Sequence, residues 1–168
     1  MSTIDRVREF HEAFGQACPA HPCLPGATCG VLTEVSKMAQ EVLSIARRAH
    51  KLAGDNAGSV TALRVHLMCE ELGEVLDAIS RDDLVGVIHE LVDKRYVDDG
   101  TVLAFGLSSV YSEAFRRVHC ANMSKLVDGK PYLDNTGRII KGPDFQPAYL
   151  DDLIETSGEA VTEWTEKR

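Results

Sequence analysis

Five acidic residues stand in two short stretches of this 168-residue chain, Cys69-Glu70-Glu71-Leu72-Gly73-Glu74 and Glu90-Leu91-Val92-Asp93, with fifteen residues between Glu74 and Glu90. Read as helices, residues three or four apart share a face. Glu70, Glu71 and Glu74 then point within one arc of roughly 100°, and Glu90 with Asp93 forms a second cluster on the next helix. Carboxylate oxygens are hard ligands that suit Mg²⁺, with Mn²⁺ as a substitute. Mg²⁺ seldom sits in an all-protein cage and shares its oxygens with a substrate phosphate, so the pattern predicts a metal–triphosphate clamp. Four or five acids can hold two or three ions and leave one carboxylate to orient water. Such ions screen the triphosphate, lower the pKa of bound water and stabilise charge as the anhydride breaks. The phosphate oxygens also need cationic and amide donors, for which Asn122, Lys125 and Lys141 are the candidates.

Helices must position these groups. Val7, Phe10 and Phe14 recur at i, i+3, i+7, which predicts a helix from about Thr3 to Gly15. Cys18 to Gly30 carries three prolines and two glycines and reads as loop. A long helix follows over about 32–52, with Leu32, Val35, Met38, Val42, Ile45 and Ala49 on one stripe. Arg47, Arg48, His50 and Lys51 near its end suit the negative pole of the helix dipole, with a phosphate-facing role for one of them as the lesser alternative. Gly54 to Ser59 breaks the chain before the helix of about 60–79. There Met68, Leu72, Val75, Leu76 and Ile79 make one stripe, while Leu63, Leu67, Glu71, Glu74 and Ala78 make another. Carboxylates in line with leucine and alanine face a neighbouring helix, where they cost free energy or take up protons unless a cation is present.

The turn at Ser80-Arg81-Asp82-Asp83 offers aspartates to cap a helix over about 84–107. On it, Gly86, Glu90, Asp93, Val97 and Gly100 share a seam that admits another backbone or a ligand. Asp98 and Asp99 lie off that seam, solvent-facing or paired with Lys94 and Arg95. A further helix over about 109–125 puts Val110, Ala114, Val118 and Ala121 on its core stripe. Residues 131–140 read as a small hairpin around Asp134-Asn135-Thr136-Gly137. A short helix over about 146–155 precedes a polar tail, 157–168, whose Trp164 is incidental or an interface contact.

Composition bounds the partners. With 44% hydrophobic and 26% charged residues, the chain suits one soluble domain over 1–156. A net charge of −8 argues against nucleic acid as a partner, though not against a nucleotide whose charge is carried by cations. Neither a membrane-length apolar run nor a signal-peptide pattern is present, so no membrane partner and a cytoplasmic location are expected. Five cysteines, an odd number, point to free thiols, and the spacing of Cys18, His21, Cys23 and Cys29 is poor for zinc. A redox di-metal bundle would use Glu-x-x-His pairs, whereas the i+3 partners here are Glu74 and Asp93. His66, His89 and His119 read as partly buried packing residues. No phosphate-binding glycine loop and no marked Cys–His nucleophile pair occurs.

Glu71-x-x-Glu74, fifteen residues, then Glu90-x-x-Asp93 resembles the metal motif of the all-α nucleoside triphosphate pyrophosphohydrolases, a superfamily that includes MazG-like enzymes, dimeric dUTPases and phosphoribosyl-ATP pyrophosphohydrolases. The likeness continues through 7–15, Tyr96, 100–106, the stretch Val118-His119-Cys120-Ala121-Asn122-Met123-Ser124-Lys125-Leu126, and 137–143. It covers roughly residues 5–155 and resembles the MazG-like, phosphoribosyl-ATP-pyrophosphohydrolase-like group found in phages and bacteria. The resemblance implies an all-α helical bundle with a small C-terminal hairpin. It implies hydrolysis of a (d)NTP between the α and β phosphates, giving (d)NMP and pyrophosphate. By matching positions, Glu71, Glu74, Glu90 and Asp93 bind Mg²⁺, and Glu70 binds another ion or acts as base towards the attacking water. Asn122 and Lys125 contact substrate phosphates, with Lys141 a weaker candidate. A homodimer or homotetramer is implied, in the host cytoplasm if phage-encoded. A purine such as dGTP is the first expectation for the base. The alternatives are a dUTP- or dCTP-specific enzyme, and a non-catalytic nucleotide- or metal-binding helical oligomer. The chain departs from the family pattern in its extended stretch between Gly15 and Val60, and in Asp98-Asp99, where apolar residues are usual.

Overall fold

Small side chains set how closely the acid-bearing helices approach. The computed structural model describes residues 1–155; the predicted tail and Trp164 lie outside the described residues. The elements are α1 (Thr3–Ala13), α2 (Cys29–Asp55), α3 (Val60–Ser80), α4 (Leu84–Ala104), α5 (Ser108–Met123), β1 (Leu126–Val127), β2 (Lys130–Pro131) and α6 (Asp151–Glu155). This is the predicted all-α architecture with a small C-terminal hairpin. The chain separates into two compact units, one of Met1–Cys18 with the residues from Leu107 on, the other of Pro19–Gly106.

In the second unit α3 packs against both α2 and α4. The buried residues are Ala39, Ala46 and Ala49 on α2, Ala62, Gly73, Val75 and Ala78 on α3, and Val87 on α4. At Gly73 an added Cβ would lie 2.6 Å from Leu43 Cδ2, so glycine is what lets α2 and α3 meet there. The predicted α2 stripe is therefore rotated: Ala39 and Ala46 turn inward, while Met38 and Ile45 are about half exposed. Alanine wins the contact because two helix backbones come closest where side chains are shortest. The α2 bases are also not at a helix end. The helix runs on to Asp55 and has no basic residue in its last turn, so the dipole role expected for Arg47, Arg48, His50 and Lys51 is not met; Lys51 pairs with Asp55 instead.

The hairpin of helices is tightly defined. Asp82 adopts a left-handed φ of 55°, and Asp83 caps α4 by accepting from the Gly86 amide at 2.9 Å. The glycines of the acid seam admit side chains rather than a backbone or ligand. A Cβ at Gly86 would lie 3.3 Å from the Cβ of Ala78, and one at Gly100 would lie 3.0 Å from Arg64 Nη2. Arg64 reaches across from α3, donating to Thr101 Oγ1 at 3.0 Å and to the Val97 carbonyl. Lys94 pairs with Asp98 at 2.6 Å and Arg95 with Asp99 at 2.8 Å, as the i, i+4 spacing suggested.

In the other unit α1 meets α5, where the buried His119 Nε2 lies 3.1 Å from Glu9 Oε2. The hairpin starts earlier than predicted: β1 and β2 pair antiparallel around Asp128-Gly129, both with positive φ, the turn such a dipeptide favours. The expected 134–137 turn is present, closed by a single Leu133–Ile139 bridge. The last helix is shorter than predicted, because Gln146 is held by Ser124 and Arg117 grips both the Tyr149 carbonyl and Asp152. The five cysteines carry free thiols, and no described helix is long and apolar enough to cross a membrane.

The Arg64 bridge yields a stability test. Arg64→Met keeps the apolar stem and removes the donors, so unfolding in urea should show a loss of about 1.5–3 kcal/mol, the usual worth of hydrogen bonds from a charged group.

Candidate metal and phosphate site

Because α3 and α4 form a tight helical hairpin, residues equidistant from its turn come opposite each other. Asp82 is the midpoint of Glu74 and Glu90, eight residues either way, and of Glu71 and Asp93, eleven either way. The fifteen-residue gap is thus the length that sets the two acid pairs level across the hairpin.

Ligand oxygens of Glu71, Glu74 and Glu90 all lie within 4.8 Å of one another, and His89, Glu90 and Asp93 form a second such group that shares Glu90. Glu71 and Glu90 are half-buried while Glu74 is exposed. Burial first, and then the charges of Asp93, Glu90 and Glu70, raise the pKa of Glu71 above its ordinary 4.5. Glu74, though exposed as a whole residue, is raised likewise, first by partial desolvation of its carboxyl, then by Glu90, Glu71 and Glu70 and by a hydrogen bond shared with Glu90. Glu71 Oε2 is buried with no hydrogen-bond partner among the described residues. A buried carboxylate oxygen without a donor is costly, and an all-oxygen set of this size suits a hard divalent cation. The residues present fit Mg²⁺ or Mn²⁺.

Three expected assignments need refinement. Glu70 joins neither ligand group; its Oε2 instead lies 3.6 Å from His66 Nε2. His89, read from sequence as a packing residue, is an exposed partner of the acids, 3.2 Å from Glu90 and 3.5 Å from Asp93. Hydrogen bonding to Glu90, then the charges of Asp93 and Glu90, raise its pKa. Its i, i+4 spacing to Asp93 was the available signal. His66 is largely buried, as expected, but its Nε2 lies 3.2 Å from His50 Nδ1, a pairing between helices that no local spacing announces. Asn122, Lys125 and Lys141 belong to the other unit. There Lys125 Nζ donates to Asn122 Oδ1 at 2.9 Å, and Lys141 is drawn over the Phe145 ring, 4.6 Å from its centroid.

The raised carboxyls set a pH dependence. Between the ordinary value of 4.5 and their raised values, Glu71 and Glu74 bind more protons folded than unfolded. Stability of the metal-free protein therefore falls as pH rises through that window. Near neutral pH, Mg²⁺ or Mn²⁺ should raise the melting temperature; below the ordinary glutamate pKa the rise should vanish. Glu71→Gln should melt higher than wild type without metal and should lose most of the metal response.

Residues 36–122, a little over half of the chain, match the family model described as phosphoribosyl-ATP pyrophosphohydrolase. The matched span contains all five acids and Asn122. No curated protein and no solved structure matches the chain.

Proposed function

The chain belongs to the phosphoribosyl-ATP pyrophosphohydrolase family, within the MazG-like all-α superfamily, and on that premise we propose that it hydrolyses a nucleoside triphosphate to the monophosphate and pyrophosphate. The observation that carries this reading is the convergence of Glu71, Glu74 and Glu90, with a buried, unpartnered Glu71 oxygen among them. These three with Asp93 would hold two or three divalent ions, Mg²⁺ or Mn²⁺. Bound there, the ions supply charge screening for the phosphates and a more acidic water. Glu70, outside both ligand groups, orients the attacking water and accepts its proton. Lys125 spends one of its three donors on Asn122, so two remain, together with the Asn122 amide, for phosphate oxygens. Lys141 is the weaker phosphate contact. A purine deoxynucleotide, dGTP first, is the proposed substrate. Phosphoribosyl-ATP is the second reading, favoured by the family match itself.

We also propose a homodimer or homotetramer. On α4, Val85, Ile88, Val92 and Tyr96 are 57–82% exposed, and on α2, Met38, Ile45 and Leu52, which repeat every seven residues, are 48–55% exposed. Apolar stripes of this kind mark association surfaces, and a second copy of the chain is the occupant that the family resemblance implies.

Incubation of the protein with Mg²⁺ and each (d)NTP, and with phosphoribosyl-ATP, should release nucleoside monophosphate and pyrophosphate in equal amounts. Orthophosphate as the sole product, or turnover indifferent to chelation, would exclude the reading. Glu74→Gln should lose more than about 100-fold in turnover, since even outer-shell partners of metal ligands are worth 10–100-fold, with its circular dichroism unchanged. Light scattering should report a dimer or tetramer, and Ile88→Glu should shift it towards smaller species.

A further inference from the structure

Helix α4 carries a second group of ligand atoms beside the carboxylates of α3. His89, Glu90 and Asp93 place one ligand atom each within 4.8 Å of one another, and Glu90 also belongs to the group formed with Glu71 and Glu74. Helical spacing builds this group: His89 and Asp93 are i, i+4 neighbours, and Glu90 and Asp93 are i, i+3 neighbours. Two adjoining positions for a cation thus share one carboxylate, and they differ in chemistry. Glu71, Glu74 and Glu90 offer oxygen alone, whereas the α4 group adds an imidazole nitrogen.

The distances suit a shared ion. His89 Nδ1 lies 3.2 Å from Glu90 Oε1 and 3.5 Å from Asp93 Oδ2. Two ligand atoms each about 2.1 Å from one ion stand roughly 3.0 Å apart at a right angle and roughly 3.4 Å apart at a tetrahedral angle. One nitrogen therefore stands at ligand-to-ligand distance from both oxygens, while its distance to Asp93 exceeds the ordinary range of an N–H···O bond. The His89 side chain is 69% exposed, so an ion arriving from solvent can reach the nitrogen. The adjoining group supplies an independent sign that a cation belongs here: Glu71 Oε2 is buried with no hydrogen-bond partner among the described residues. Nitrogen also changes which metal is preferred. Mg²⁺ is a hard ion that takes oxygen ligands, while imidazole favours later first-row ions, with affinity rising from Mn²⁺ through Co²⁺ to Ni²⁺.

We propose that His89, Glu90 and Asp93 hold a first-row transition ion, with His89 as the direct ligand that sets its selectivity, beside an all-oxygen position that takes Mg²⁺. The inference rests on the divalent-ion reading of Glu90 and Asp93 and needs no assumption about hydrolysis. Ni²⁺ serves as the probe. Calorimetric titration with Ni²⁺ in a large excess of Mg²⁺ should find a site on the wild-type chain. In His89→Ala the Ni²⁺ affinity should fall about tenfold or more, since even outer-shell partners of metal ligands are worth 10–100-fold, while the Mg²⁺-induced thermal shift stays at the wild-type value. The variants keep all five free thiols of the wild type, so the difference between them isolates His89. His89→Gln can still donate to the two carboxylates but lacks the imidazole nitrogen, and it should be as defective as His89→Ala. A His89 that merely orients the carboxylates would be rescued by glutamine. His21→Ala, at an exposed histidine of the loop after α1, should bind Ni²⁺ as the wild type does. Ni²⁺ affinity within about twofold of wild type in His89→Ala, rescue by His89→Gln, or equal losses for Ni²⁺ and Mg²⁺ would overturn the proposal, even if the wild type hydrolyses nucleotides. Conversely, a His89-dependent Ni²⁺ site on a chain that turns over no nucleotide with Mg²⁺, Mn²⁺ or Ni²⁺ would sustain it and remove the pyrophosphohydrolase reading.

Discussion

Mutual repulsion among Glu71, Glu74 and Glu90 is the constraint that the acid-bearing unit has to accommodate. Burial first, and then the crowding of oxygens within 4.8 Å of one another, disfavours the charged forms of Glu71 and Glu74 and raises their pKa values. The helical hairpin resists that repulsion through its turn, its Asp83 cap and the Arg64 bridge at the far end of α4. A rigid frame around mutually repelling ligands is what a preorganised metal site needs: the cation then meets carboxylates already in place.

The same frame explains the composition of the core. Its buried positions are mostly alanine and glycine, and among the described residues no large side chain is fully buried. Short side chains bring α2 close enough to α3 to form a cleft at Arg47 and His50, and α4 close enough to level its acids with those of α3. The larger apolar residues are thereby left on outward faces. Close helix packing at the site and apolar surface outside it are two consequences of one choice of residues.

Much of the helical order was legible locally. Helix α3 begins where predicted at Val60 and ends one residue beyond the expected Ile79; the Asp83 cap and the Lys94–Asp98 and Arg95–Asp99 pairs also follow from spacing. The buried face of α2 was legible only in part: Ala49 is buried as expected, but Met38 and Ile45 are about half exposed while Ala39 and Ala46 turn inward. Leu32, Val35, Met38, Val42, Ile45 and Ala49 form a good hydrophobic stripe, but periodicity ranks side chains by apolarity and says nothing about how near the neighbouring backbone comes. Glycine at 73 decided that distance, and with it which face turned inward. The seam glycines misled for a related reason: each does admit something close, but it is a side chain of α3 or the helix cap.

The five acids and their spacing were set by the sequence alone, because a tight helical hairpin centred on Asp82 must bring Glu74 level with Glu90 and Glu71 level with Asp93. Residue types likewise determined that the clustered donors are hard oxygens, a set that suits a divalent cation. Tertiary structure decided the rest of the site. It separated Glu70 from the ligand groups, turned His89 onto Glu90 and Asp93, and placed Arg47 and His50 across a cleft from Glu70 and Glu74. Those contacts join residues on different helices through the rotation and separation of the helix axes, which no repeat along the chain encodes.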